Sequence, residues 1–174
     1  IGASHAHASG KIAAILSLPD LYEVAGVSES DAERRAAAEK SAAYAGVPWK
    51  TESEILAMAD VSVIAVETQV DESARVAMAA IQAGKHIHLD KPGALDHAAF
   101  RALRSTAEGK GLTVQMGYML RYNPAFQLMI KAVKEGWLGE ITEVDAMIGK
   151  LADASTRGAI GKLPGGGMFE LGCH

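Results

Sequence analysis

A few short stretches of this 174-residue chain carry side chains that could do chemistry. Asp90-Lys91-Pro92-Gly93 directly follows the run His86-Ile87-His88-Leu89. A lysine at the carboxyl end of a buried parallel strand points into the crevice where such sheets bind ligands, and the proline stops the strand. Near the start lies a small-residue turn, Gly2-Ala3-Ser4-His5-Ala6-His7-Ala8-Ser9-Gly10. Between a strand end and a helix start, such a turn presents backbone N–H groups and a helix N-terminus to an anion such as a pyrophosphate. Gly2 fits the first position of a Gly-x-Gly-x-x-Gly fingerprint, while Ser4 and His7 occupy the other two. Glu29 follows the apolar Val27 at the distance where a dinucleotide-binding fold places an acid for the ribose hydroxyls. A carboxylate there repels a 2′-phosphate, which favours NAD over NADP. Two His-x-His pairs, His5/His7 and His86/His88, invite a metal reading, because residues two apart share a face of a strand. No carboxylate sits at a compelling ligand spacing, so no metal is expected. His5 and His7 are instead expected to meet cofactor phosphates or substrate.

These residues need a scaffold, and the hydrophobic pattern supplies one. Ile1 reads as the last residue of a first strand, and residues 11–18 as a helix closed by Pro19. An apolar run at 22–27 reads as a strand and 31–45 as a helix. Gly46 fits the left-handed position after a helix end. Thr51 and Glu54 have capping-box spacing and open a short helix to Met58. Val61 to Val66 is a β-branched run suited to a parallel strand buried on both faces. Helices at 72–83 and 95–108 alternate with strands at 86–89 and 112–116. This repeated order implies an α/β fold, a doubly wound parallel sheet with helices on both faces. After Gly117 the style changes. A helix over 123–135 has Pro124 in its first turn. A strand is expected over 141–148, and a helix is expected to begin at Met168. The domain boundary falls near Tyr118: residues 1–118 form the dinucleotide-binding domain, and 119–174 begin an α+β domain for substrate and association.

Composition narrows the classes further. The net charge is −4, with 17 Lys and Arg against 21 Asp and Glu, and no basic cluster suggests nucleic acid. One cysteine excludes an internal disulfide framework. No apolar run reaches the roughly 20 residues of a membrane helix. Cys173 beside His174 is not a nucleophile–base pair, since helix neighbours in sequence point different ways.

Taken together, the motifs resemble the glucose-fructose oxidoreductase / inositol dehydrogenase / rhizopine catabolism family of NAD(P)-dependent oxidoreductases. Asp90-Lys91-Pro92 is similar to that family's Glu-Lys-Pro after the fifth strand, preceded by the typical run Ala83 to Ile87. Gly117 to Pro124 resembles the segment that leads into the second domain, and Gly165 to His174 resembles a Gly-Gly-Gly…Asp-x-Gly-x-His motif. The resemblance implies a Rossmann-type domain followed by a truncated α+β domain. It also implies that Lys91 hydrogen-bonds the reacting hydroxyl near the nicotinamide and that His174 is the general base. Glu170, four residues earlier, would share its helix face and orient or relay to it. Gly2, Ser4, His5, His7, Glu29, Val66, Thr68, Asp90, Lys91 and Pro92 would hold the cofactor. Arg121, Tyr122 and Asn123, with Lys91 and His174, would line the substrate cleft. Departures are Ser4 and His7 for glycines, Asp90 for Glu, Glu170 for Asp, and Gln69 for Pro.

The favoured expectation is hydride transfer between NAD, with NADP second, and a secondary alcohol of a sugar, cyclitol or related polyol. The partners implied are that small molecule and, in the full-length protein, further copies of the chain as dimer or tetramer; the compartment is the cytoplasm. A non-catalytic dinucleotide-binding regulatory protein on the same fold is the second reading, and a metal-dependent hydrolase the third. The 174 residues read as a fragment, cut within the first strand and at the end of a catalytic motif.

Overall fold

A computed structural model describes residues 1–3, 5–149 and 151–173. The chain forms two units, Ile1–Met116 and Gly117–His174. The first alternates helix and strand: α1 (Ala8–Leu16), α2 (Ala32–Glu39), α3 (Glu52–Ala57), β1 (Val63–Val66), α4 (Val70–Gln82), β2 (His86–Leu89), α5 (His97–Gly109) and β3 (Val114–Met116). The three strands pair in parallel in the order β1-β2-β3. Their register sets Val66 opposite Leu89 and Leu89 opposite Met116, so the chain leaves all three strands at one edge.

Beyond β1 the layer continues through extended segments. Ile1 accepts a hydrogen bond from Glu67 N–H (2.8 Å) on one side, and Gly2 N–H donates to Ser28 O (2.7 Å) on the other. Val27 in turn bridges Trp49 in parallel. Across the sheet the order is therefore 49, 27, 1, then β1, β2, β3. The order reverses between Ile1 and β1, which is where open α/β sheets bind ligands. The strand expected over 22–27 is reduced to the single bridge at Val27. Leu21 and Tyr22 face solvent and have no apolar layer to bury against.

Burial explains why the helices lie where they do. Val76, Ala77, Ala80 and Ile81 form one face of α4 and pack with Leu103 and Ala107 of α5 against Ile64, Val66, Ile87 and Leu89. A second cluster, Ile12, Val27, Ala38, Tyr44 and Val47, holds α1 and α2 to the sheet. The Thr51/Glu54 capping box forms as the spacing predicts. The helix expected over 31–45 stops at Glu39 and resumes as a 3-10 turn at Ala42–Tyr44.

The second unit holds a 3-10 turn (Met119–Tyr122), α6 (Pro124–Lys134), α7 (Ala154–Gly161) and α8 (Gly166–Leu171). The strand expected over 141–148 does not form: the segment has no regular secondary structure, pairs with no strand among the described residues, and exposes Val144 and Met147 almost fully. Alternation marks a strand only where a neighbour exists to pair with it. Helix α8 ends at Leu171, and the helix face expected to be shared by Glu170 and His174 involves a residue outside the described ones. Among the described residues, no helix is long and apolar enough to cross a membrane.

Gly2 carries the tightest constraint in the sheet. Its φ is +88°, and a Cβ there would lie 2.4–2.5 Å from backbone atoms of Glu67 and Thr68. Gly84 has a similar φ, +78°, but open space around it. Gly84→Ala should therefore cost only the left-handed penalty of about 1–2 kcal/mol. Gly2→Ala should cost at least about 3 kcal/mol, because backbone must also move. Urea unfolding of the two variants checks the difference; equal losses would contradict the close approach.

Candidate functional site

The edge where β1 and β2 end gathers charged side chains that the sequence scatters over 85 positions. Asp90 follows β2, and its carboxylate is almost fully buried. Its Oδ2 stands 3.2 Å from His5 Nδ1, 3.0 Å from His7 Nδ1 and 3.3 Å from Lys11 Nζ, and its Oδ1 accepts the Lys91 backbone N–H at 2.6 Å. Glu67 follows β1, equally buried, and forms an ion pair with Lys11. Lys11 also donates to His88 Nε2 (2.8 Å), and His88 Nδ1 lies 3.2 Å from Gln115 Oε1. An ammonium only donates, so Nε2 of His88 must carry the lone pair and Nδ1 the proton. Burial and the charge of Lys11 both hold the His88 pKa down, in agreement with a neutral ring.

Two carboxylates buried side by side do not ionise alike. Burial and the neighbouring Asp90 push Glu67 up to about 7, against the pull of Lys11. Burial would raise Asp90 too, but His5, Lys11 and the Lys91 N–H hold it well below the usual carboxylate range. Asp90 is thus the anion of the pair, and Glu67 keeps a proton into neutral pH.

The turn from Gly2 to His7 fits an anion. Helix α1 begins with His7 at its N-cap, and no side chain caps it. Its first N–H groups have no partner within the helix, and nothing lies within 4 Å of a Cβ built on Gly10. Among the described residues, Thr68 Oγ1 at the end of β1 is buried without a hydrogen-bond partner. An uncapped helix end, open space and an orphaned hydroxyl together suit a dinucleotide laid across this edge. Glu29 braces the turn from the next strand over. One of its oxygens accepts the Ala3 N–H (3.1 Å), and the other accepts Asp31 N–H and Arg34 Nε–H, both at 3.2 Å. Arg34 also reaches Glu72 at 3.1 Å. A carboxylate has about four acceptor positions, so Glu29 retains one for a ribose hydroxyl.

Of the residues singled out in the sequence, Gly2, His5, His7, Glu29, Val66, Thr68, Asp90, Lys91 and Pro92 all lie at this edge of the first unit. Lys91, Pro92 and Gly93 are buried, and a hydrogen bond from Ser73 Oγ to Gly93 O (3.2 Å) ties their loop to α4. Arg121, Tyr122, Asn123 and Glu170 belong to the second unit. There Asn123 caps α6 by accepting the Ala125 N–H at 2.9 Å, and the Arg121 carbonyl accepts from Gln127. Ser4 and His174 lie outside the described residues. The His86/His88 pair does not converge: His86 Nδ1 accepts the Thr113 N–H, while His88 faces Lys11. The His5/His7 pair does converge, and the carboxylate that the sequence spacing did not show is Asp90.

Sequence reasoning passed over Lys11, Gln115 and Arg34, and met Glu67 only as part of the strand-end segment from Val66 to Thr68, with no role of its own. Lys11 had a signal: it stands four residues after His7, on the same helix face. His88 shared a strand face with Asp90. Glu67 and Gln115 had none, because each acts through a partner brought close only by the sheet.

The Glu67 proton has a measurable consequence. A carboxyl whose folded pKa exceeds its ordinary value stabilises the fold fully below that ordinary value, 4.5, and loses the effect as pH rises through about 7. Stability should therefore fall by on the order of 2 kcal/mol over this window. Glu67→Gln should flatten the fall. Urea midpoints of both proteins from about pH 5 to 7.5, in chelator-treated buffer, check it; parallel slopes would remove Glu67 as the source.

Comparison with known proteins identifies the fold and the family. Residues 1–118 match the oxidoreductase family with an NAD-binding Rossmann fold. The chain is 30% identical to the uncharacterized oxidoreductase YhhX of Escherichia coli over 76% of its own length and 38% of that protein's. It is 31% identical to inositol 2-dehydrogenase of Rhizobium meliloti over 63% of its length and 33% of that enzyme's. Among solved structures, a putative myo-inositol dehydrogenase from Sinorhizobium meliloti superposes with a TM-score of 0.63 at 26% identity, covering 75% of this chain and 39% of that one. The chain thus spans under two-fifths of the length of these relatives. With its parallel sheet, its Gly2 turn and Asp90-Lys91-Pro92 at the strand end, the chain belongs to the glucose-fructose oxidoreductase / inositol dehydrogenase / rhizopine catabolism family of NAD-binding Rossmann-fold oxidoreductases.

Proposed function

We propose that the protein is a dehydrogenase that moves a hydride between a nicotinamide cofactor and a secondary alcohol of a sugar, cyclitol or related polyol. The observation that carries this reading is the convergence of the uncapped α1 turn, Glu29 and buried Lys91 on one edge of the sheet. The relatives that are named for inositol support the substrate class. The nicotinamide, when bound, supplies the hydride acceptor. The chain's own residues do the rest. N–H groups at the start of α1, with Gly2, Ser4, His5 and His7 around them, face the pyrophosphate. Glu29 takes a ribose hydroxyl. NAD is the preferred cofactor, with NADP second.

Lys91 donates a hydrogen bond to the reacting hydroxyl, and its buried backbone is fixed by Asp90. As the alcohol is oxidised, its hydroxyl proton passes to His174 as general base, whose ordinary pKa suits that task. Glu170 orients or relays to His174. Val66, Thr68, Asp90 and Pro92 wall the cofactor, and the family resemblance assigns Arg121, Tyr122 and Asn123 to the substrate.

Two measurements test the reading. The chain should quench or enhance NADH fluorescence on binding, and Glu29→Ala should weaken NADH by about tenfold, one hydrogen bond to a charged group. No detectable NADH or NADPH binding at millimolar cofactor would overturn the cofactor assignment. In a cofactor-reduction screen over sugars and cyclitols, Lys91→Met should lower kcat/KM by at least about a thousandfold while the NADH Kd stays within about threefold. Near-parental turnover by that variant would dismiss Lys91. Tight NADH binding with no reduction across the panel would favour the regulatory reading instead.

A further inference from the structure

Three donor atoms at the start of α1 meet in a way that their hydrogen bonds do not settle. One ring nitrogen of His5, one of His7 and a carboxylate oxygen of Asp90 all lie within 4.8 Å of one another. Both rings turn Nδ1 toward the same oxygen, Oδ2, at 3.2 and 3.0 Å. Yet His5 Nδ1 also accepts the His7 backbone N–H at 3.4 Å. One nitrogen cannot hold a proton for Asp90 and a lone pair for His7 at once. With a cation between them no proton has to be shared with Asp90: all three atoms offer lone pairs to the ion, which takes the place of the His7 N–H at His5 Nδ1.

From this we infer that His5, His7 and Asp90 form a binding site for a divalent transition-metal ion of the zinc class. The spacings suit it: donors bound to a tetrahedral zinc at about 2.1 Å lie about 3.4 Å apart. Two imidazoles and one carboxylate are the three-ligand set of zinc sites that keep a fourth position open, and imidazole donors disfavour magnesium and calcium. The rings stand nearly perpendicular, at 77°, with centroids 4.9 Å apart, so both can aim at one ion without stacking. His7 is 47% exposed, which gives the ion an entry path and room for a water. The ion would tie the turn before α1 to the end of β2, replacing two competing hydrogen bonds by three bonds to one centre. The ligands are assigned from their own geometry and not from the dehydrogenase reading, although the same three residues border the edge proposed for the cofactor.

The test is titration of the chelator-stripped chain with Zn²⁺ by calorimetry and with Co²⁺ by visible absorption. One equivalent of Zn²⁺ should bind with Kd on the order of 1 μM or tighter. Co²⁺ should give a visible spectrum of low-symmetry nitrogen and oxygen ligation, unmoved by excess Mg²⁺. His7→Ala, at a half-exposed position that leaves the core intact, should weaken Zn²⁺ by at least about tenfold, as should His5→Ala. His97→Ala, on α5, and Cys173→Ser should leave it unchanged. Absence of stoichiometric binding would overturn the site. So would binding that survives both His5→Ala and His7→Ala, or that is lost with Cys173→Ser.

Discussion

Glu67 and Asp90 end neighbouring strands, and the parallel register forces them into the same dry layer. Two carboxylates so placed must share a proton or acquire cations. The fold does both. Lys11 arrives from α1 to pair with each, and Glu67 keeps a proton that an exposed glutamate would lose. From this one constraint much of the edge follows. Lys11 can reach only because α1 begins where Gly2 lets the chain pass against Glu67 and Thr68. His88 must be neutral because Lys11 donates to it. The backbone of Lys91 is pinned because Asp90, kept ionised, has an oxygen left for its N–H.

The same constraint explains what was legible in the sequence. β1 was readable from its β-branched run and β2 from the alternation of His86 to Leu89, although each buries only one face fully and not both, and their ends marked the edge that carries Asp90 and Lys91. Caps are local, and Thr51 with Glu54 announced α3. The segment over 141–148 misled because alternation describes a side-chain pattern, whereas a strand is a pairing. The candidate site was legible where one residue type acts alone at a strand end or turn, as with Lys91 and Glu29. It was not legible where function lies in a contact between elements. Asp90 lies 83 positions from His7, and only the register of two strands brings them to 3.0 Å.

Arg34 shows how such a contact alters an inference drawn from one residue. Read alone, Glu29 repels a 2′-phosphate and selects NAD. In the fold its carboxylate is compensated by the Arg34 guanidinium, which is itself shared with Glu72. The group proposed to meet the ribose is then a carboxylate beside a cation, with little net charge. The discrimination must come from geometry: the acceptor position left on Glu29 favours a hydroxyl that donates, while the guanidinium tolerates an oxyanion that accepts. A 2′-phosphate would have to draw Arg34 away from Glu29 and leave that carboxylate buried with fewer donors. In the proposed preference for NAD over NADP, the loss of those bonds would therefore weigh more than direct repulsion.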